Sequence, residues 1–264
     1  METLRQSQGI TFVKKGSKPN KICGNLLIIR KNAVILAVIC ILNRAEMKSS
    51  ENRTILPEPT IRRLPWYLSY VRMLDNLHVE YVSSTQISNE LNVQSSQIAK
   101  DLSFLNIRGK TRIGYEVHSL VTELEDFLGF NEHHDAVVIG TGSLGTALMQ
   151  DHGLENYGLN IVAGFDVRSE VIGKYLGGIP VYDISELSDW QREHAVSIAI
   201  LTVPVERAQT TADLAIASGM TALWNFTPYR IKAPDDVVIA NTSIYAHLAI
   251  IYNRMHNTST ESKK

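Results

Sequence analysis

Apolar residues fall into two different rhythms along this chain, and the rhythm changes near residue 119. Before that point the spacing is helical. Leu64, Leu68, Val71 and Leu74 recur every three or four residues and so share one helix face. Thr60, behind Pro57 and Pro59, is expected to be the N-cap, and Pro65 to kink or restart the helix. Ser83-Ser84 is expected to cap a second short helix with Ile87 and Leu91 facing inward. Asn92-Val93 supplies a tight turn. Ser95 or Ser96 then opens a third helix whose inner residues are Ile98, Leu102 and Leu105. Two short helices joined by so brief a turn form the helix-turn-helix pattern.

Beyond residue 119 the pattern becomes that of an α/β protein. Leu120–Phe130 is a periodic linker helix. A continuous apolar run at 136–139, as a parallel strand buried on both faces requires, is followed by further strands at 160–165, 179–182, 197–203, 222–226 and 237–240. The predicted fold class is therefore α/β with an all-α, winged part. It has an N-terminal winged helix-turn-helix domain (51–118) and a C-terminal Rossmann domain with a doubly wound parallel sheet (119–242). A dimerisation helix and tail (243–264) complete it. On that last helix Ile244, Leu248 and Ile251 form one apolar stripe and Tyr245, Ala249 and Tyr252 an adjacent one. Burial in a partner copy and packing on the chain's own sheet both fit this pattern.

Two segments carry candidate chemistry. The third helix turns Gln97, Lys100 and Ser103 away from its buried face, where they can enter a major groove. Ser95 and Ser96 at its start join them as candidate DNA contacts. Arg108-Gly-Lys110-Thr-Arg112-Ile-Gly114-Tyr115 brackets three cations with two glycines. Alone this reads as a solvated turn. Directly behind a helix-turn-helix it reads as a β-hairpin wing whose Arg108, Lys110 and Arg112 lie along phosphates.

The second segment is Gly140-Thr141-Gly142-Ser143-Leu144-Gly145, which follows a strand and opens a helix. Gly140 allows the tight turn, Gly142 lets backbone approach a pyrophosphate, and Gly145 lets helix and strand pack closely. A second strand ends in Asp166, 26 residues after Gly140, near the spacing of an acid that binds an adenosine ribose diol. Asp166 favours NAD(H), because a carboxylate repels a 2′-phosphate; Arg168 complicates that preference. Thr202, Val203, Pro204 and Asn225 sit at strand carboxyl ends, where open α/β sheets bind ligands.

Composition changes the picture mainly at the N-terminus. The 264 residues are 44% hydrophobic and 20% charged with a net charge of −1, which excludes a uniformly basic nucleic-acid coat and wholesale disorder. The sum hides an asymmetry: nine Lys or Arg against two acids in 1–50, and nine against fifteen in 131–264. Both cysteines, Cys23 and Cys40, precede residue 50, so the body carries neither a disulfide scaffold nor a Cys-ligated metal site. The body reads as intracellular and cytoplasmic. The apolar run 33–42 is far short of the roughly 20 residues a bilayer span needs. For residues 1–46 three readings stand: upstream sequence ahead of a start at Met47, a disordered tail, or a short anchor.

The order of parts resembles the Rex family of redox-sensing transcriptional repressors. The motifs that carry the resemblance are Thr60-Ile-Arg-Arg-Leu-Pro65, Val82-Ser-Ser84, Lys100-Asp-Leu-Ser103, Gly114-Tyr115, Ile139–Gly145, Phe165-Asp166, Gly177–Tyr182, Ala199–Pro204 and Asn225–Pro228. It covers residues 55 to 252. It implies a homodimer that binds double-stranded operator DNA when NAD⁺ dominates and is released by NADH. Gly140, Gly142 and Gly145 would take the pyrophosphate and Asp166 the ribose. Thr202, Val203 and Pro204 would border the nicotinamide, Tyr115 would reach a partner's nicotinamide pocket, and the last helix would be exchanged. Ser69 and Ser243 stand where many members carry an Arg–Asp pair, and Asn106 and Arg108 where a Gly and an aromatic are usual.

Two rivals remain. An NAD-dependent oxidoreductase needs a proton donor beside the nicotinamide. His133, His134 and His152 flank the first Rossmann strand and helix, His247 lies on the last helix, and no Tyr-x-x-x-Lys or paired carboxylate occurs. A constitutive architectural DNA-binding protein would bind its operator regardless of cofactor.

Overall fold

The computed structural model describes residues 56–261; the N-terminal segment with Cys23 and Cys40 lies outside them. The chain opens with α1 (Glu58–Ile61) and α2 (Leu64–Asn76). Pro65 sits in the first turn of α2, where its missing N–H is harmless, so the helix restarts there. Thr60 is not the expected N-cap. It lies inside α1, and its buried hydroxyl donates to Asp101 Oδ1 at 3.1 Å.

Next come β1 (Tyr81–Val82), α3 (Ser84–Leu91) and α4 (Ser95–Leu102). Ser83 caps α3 through a reciprocal capping box with Gln86, so two backbone donors at this end are satisfied locally. Asn92 ends α3 in the left-handed conformation, φ 53°, one of the few residue types that tolerate it. The wing is short. Lys110 and Gly114 form one antiparallel bridge, and β2 (Tyr115–Glu116) pairs with β1. Helix α5 (Val117–Leu128) follows. Its buried face of Val117, Leu120, Val121 and Leu124 packs against α2, so the expected linker helix shares the head's core.

The remainder is a seven-stranded sheet in the order β5-β6-β4-β3-β7-β8-β9. Its strands are β3 (His134–Ile139), β4 (Leu159–Asp166), β5 (Tyr175–Leu176), β6 (Ile179–Asp183), β7 (Ile198–Leu201), β8 (Ala222–Asn225) and β9 (Val238–Asn241). All pairings are parallel except β5 with β6. Each expected strand lies within two residues of its apolar run; the two-residue β5 was not expected. Helices α6 (Ser143–Met149), α7 (Leu187–His194) and α8 (Ala208–Ala217) complete the layers. Alternate residues of β3 enter different cores: Val137 and Ile139 pack with Phe165 and Leu201, and Ala136 and Val138 with Met149 and Ile200. Both faces of the sheet are thus covered, as the apolar runs demand.

The last helix, α9 (Ile244–Glu261), decides one alternative. Ile244, Tyr245, Leu248, Ile251, Tyr252 and Met255 are all exposed in the single chain, so the helix does not bury these side chains on its own sheet. No helix among the described residues is long and apolar enough to cross a membrane, and none of those residues groups three or more His, Cys, Asp or Glu to hold a metal.

Candidate functional site

The strand order reverses between β3 and β7, and both strands end beside one cavity of about 990 Å³. A crevice at this switch point is where open α/β sheets take ligands. Gly140 leaves β3 with φ +94°, and a Cβ there would lie 2.8 Å from Val203 Cγ1. Its N–H donates to the Phe165 carbonyl at 2.8 Å, and the Thr202 hydroxyl donates back to the Gly140 carbonyl at 2.6 Å. Gly145 packs so closely that a Cβ would collide with the Gly140 carbonyl. Gly142 is the opposite case, since a Cβ would meet nothing within 4 Å. That bare backbone faces space a ligand can fill. Thr202, Val203 and Pro204 form part of the wall.

Asp166 ends β4 at the lip of the crevice, 6% exposed. Its Oδ2 accepts from the Thr141 N–H at 2.7 Å and hydroxyl at 2.8 Å. Its Oδ1 accepts from the N–H groups of Val167 and Arg168 at 2.8 and 3.0 Å. The Arg168 guanidinium adds Nε to Oδ1 at 3.1 Å and Nη2 to Oδ2 at 3.0 Å. Burial alone would raise this carboxyl, but the donors from Arg168 and Thr141 hold it well below the usual carboxylate range. Thr141 is buried and positions Asp166 instead of lining the cavity; Ser143, Leu144 and Gly145 also lie outside the lining.

Two expected residues are placed elsewhere. Asn225 is fully buried. Its amide donates to the Tyr229 carbonyl and Asn241 Oδ1, and its oxygen accepts from the Thr227 N–H, so it shapes the loop after β8 and does not line the crevice. Tyr115 lies in the wing, partly buried, with its ring against Gly109; burial pushes its phenol pKa up. Conversely, Arg207, Thr210, Thr211 and Leu214 line the crevice and were not anticipated. The signal was available: they follow Thr202–Pro204 into α8, whose first turns border the switch point. No histidine lines the crevice. His134 and His152 are exposed beside Glu132 and Glu155, His133 is exposed, and His247 Nδ1 lies 2.9 Å from the Ser243 carbonyl.

In the head, Ser96, Lys100, Ser103, Arg108, Lys110 and Arg112 are exposed and Ser95 is partly so. The Ser103 hydroxyl donates to the Lys100 carbonyl at 2.6 Å. Lys110 is not a free wing cation. Its Nζ donates to the Tyr81 hydroxyl at 2.6 Å and stands 4.7 Å over that ring. Gln97 does not point away from the body as expected; its Nε2 donates to Asp101 Oδ1 at 2.8 Å. Asp101 is fully buried. It also accepts from Arg63 Nε at 2.7 Å, Arg63 Nη2 at 2.8 Å and the Tyr67 hydroxyl at 2.8 Å. Burial would raise this carboxyl, but hydrogen bonds from Arg63, Tyr67, Gln97 and Thr60 hold it below its ordinary value. Such a charge is tolerated in a core because every lone pair is met.

A winged helix-turn-helix head built into one unit with a Rossmann crevice defines a class of DNA-binding regulators that respond to a nucleotide. The chain is 52% identical over 219 residues to a redox-sensing transcriptional repressor Rex of Bacteroides fragilis, covering 83% of this chain and 98% of that one. It belongs to the Rex family of redox-sensing transcriptional repressors. The corresponding protein of Bacteroides thetaiotaomicron is 54% identical over 77% of this chain and 92% of its own. Residues 55–103 match the family model "Putative DNA-binding protein N-terminus" and residues 131–229 match "CoA binding domain". Among solved structures, the Rex-family repressor RSP in complex with β-NAD⁺ and operator DNA gives a TM-score of 0.74 at 32% identity, over 80% of this chain and 97% of that one. The same repressor in complex with β-NADH gives 0.72 at 32% identity, over 80% and 99%.

Proposed function

We propose that this chain is a cytoplasmic, homodimeric repressor that senses the NADH/NAD⁺ ratio, grips operator DNA when NAD⁺ dominates and releases it when NADH binds. The observation that carries this reading is the crevice at the β3/β7 switch point, where Gly142 leaves the backbone bare and Asp166 stands at the end of β4. The residues present fit a dinucleotide. Gly140 and Gly142 would take the pyrophosphate and Asp166 the adenosine ribose, with Thr202, Val203 and Pro204 beside the nicotinamide. The bound group supplies a ring that is cationic when oxidised and neutral when reduced. The apolar wall of Val203, Pro204 and Leu214 favours the neutral ring, because burying an unpaired cation costs free energy.

In this reading residues 56–118 carry the DNA contacts. Lys100 and Ser96 on α4 face the groove and Arg108 and Arg112 lie along phosphates, while Lys110 and Gln97 act mainly by holding wing and helix in place. Residues 119–242 carry the nucleotide, although α5 packs with the head. The exposed apolar face of α9 meets a second copy, which brings Tyr115 toward the partner's crevice.

The test is an operator titration at one fixed salt concentration with NAD⁺ or NADH, since affinity without stated salt is uninterpretable. NADH is expected to weaken binding roughly 5- to 150-fold, the range of a typical coupling free energy. Equal affinity with both cofactors would sink the sensor reading, because a ligand shifts an equilibrium only through differential affinity.

A further inference from the structure

The adenosine end of the crevice carries a cation that a plain ribose does not need. Asp166 accepts six hydrogen bonds, and only two come from the guanidinium of Arg168. Arg168 Nη2 also donates to the Thr141 carbonyl at 2.8 Å. Yet its side chain stays 42% exposed, and it lines the cavity beside Val167, which is 75% exposed. Arg207 lines the same cavity, and Asp166 is the one acid among the lining residues.

Two consequences follow. The negative charge that would repel a 2′-phosphate is already matched by a cation 3.0 Å away. The guanidinium can also leave without orphaning the carboxylate, because the Thr141 N–H and hydroxyl and the N–H groups of Val167 and Arg168 remain on it. A planar guanidinium fork matches phosphate oxygens, so Arg168 is free to turn toward a phosphate on the ribose while Asp166 stays satisfied. With an unmodified ribose it has no 2′-phosphate to meet and stays folded back on Asp166.

We propose that the crevice accepts 2′-phosphorylated dinucleotides, NADP(H), alongside NAD(H), with Arg168 as the ligand of the 2′-phosphate. The proposal rests on the dinucleotide reading above. The full chain is titrated with NADH and with NADPH, following nicotinamide fluorescence. NADPH is expected to bind within about tenfold of NADH, because the paired carboxylate no longer rejects the phosphate. Arg168→Gln is expected to lower the NADPH-to-NADH affinity ratio about tenfold or more, and Arg168→Lys, which keeps a point charge without the fork, less than that. Wild-type NADPH binding more than about 100-fold weaker than NADH, or an Arg168→Gln ratio equal to wild type, overturns the proposal and leaves the dinucleotide reading standing. If neither cofactor binds, both fall.

Discussion

The molecule buries two aspartates against arginine, and it uses them in opposite ways. Asp101 is fully buried, and its donors are side chains of Thr60, Arg63, Tyr67 and Gln97. Three of those lie 34 to 41 residues away in sequence, so the carboxylate binds α4 to α1 and α2. Asp166 takes all six of its hydrogen bonds from residues one or two positions away and from Thr141, and it borders a cavity. Its arginine is 42% exposed, while Arg63 is 21% exposed. The same pair of groups therefore acts as a rivet where distant elements converge and as an exchangeable clamp where solvent can replace one partner.

The largest expected effect separates the two on stability. Asp101→Ala leaves Arg63, Tyr67 and Thr60 without their common acceptor and is expected to cost about 3 kcal/mol in chemical denaturation, the low end for breaking a buried pair. Asp166→Ala is expected to cost only about 1–2 kcal/mol, because water at the crevice can satisfy the released donors. Equal losses would erase the distinction.

Ligand binding should reverse the ranking. Asp166→Ala is expected to weaken NADH binding roughly 10- to 100-fold, as the loss of hydrogen bonds to a charged group does. Asp101→Ala, assayed where the head remains folded, should lower operator affinity and leave NADH affinity near wild type. A wild-type NADH constant in Asp166→Ala would remove that carboxylate from the ribose site.

Acid gives the smallest and most general check. Both carboxyls are held below their ordinary values. Each therefore adds stability above the unfolded pKa of about 4, and that stability is lost as pH falls toward the folded value. Denaturation midpoints should be nearly flat from pH 8 to 5 and fall below pH 4. The fall should be shallower in Asp101→Ala, and an unchanged acid slope in that variant would show that Asp101 titrates alike in both states.

Much of this was legible in the sequence because its signals are local. A capping box at Ser83, continuous apolar runs and Gly-x-Gly-x-x-Gly depend on neighbours a few residues apart. The misplacements share the opposite cause. Thr60 and Gln97 were read by helical position, but both are claimed by Asp101, whose buried charge outbids a cap or an outward rotamer. Asn225 sits at a strand end like a ligand residue, yet the turn to Tyr229 and the neighbouring β9 consume its amide. Arg207 and Thr211 line the crevice because they follow Thr202–Pro204 at the switch point, a positional signal that apolar periodicity does not carry.

Helix α5 is stopped at both ends: the Glu116 side chain accepts the Ser119 N–H at 2.6 Å, and Gly129 closes the far end in the left-handed conformation. Near that far end Glu125 grips Arg72 of α2 at 2.8 Å, and Arg72 also lies 5.1 Å over the ring of Tyr157 on the sheet side. Twelve residues make a stiff beam about 18 Å long at 1.5 Å per residue. Leverage then works for the molecule: tilting such a beam by about ten degrees sweeps its tip through about 3 Å, enough to pull a side chain off a phosphate without unfolding anything.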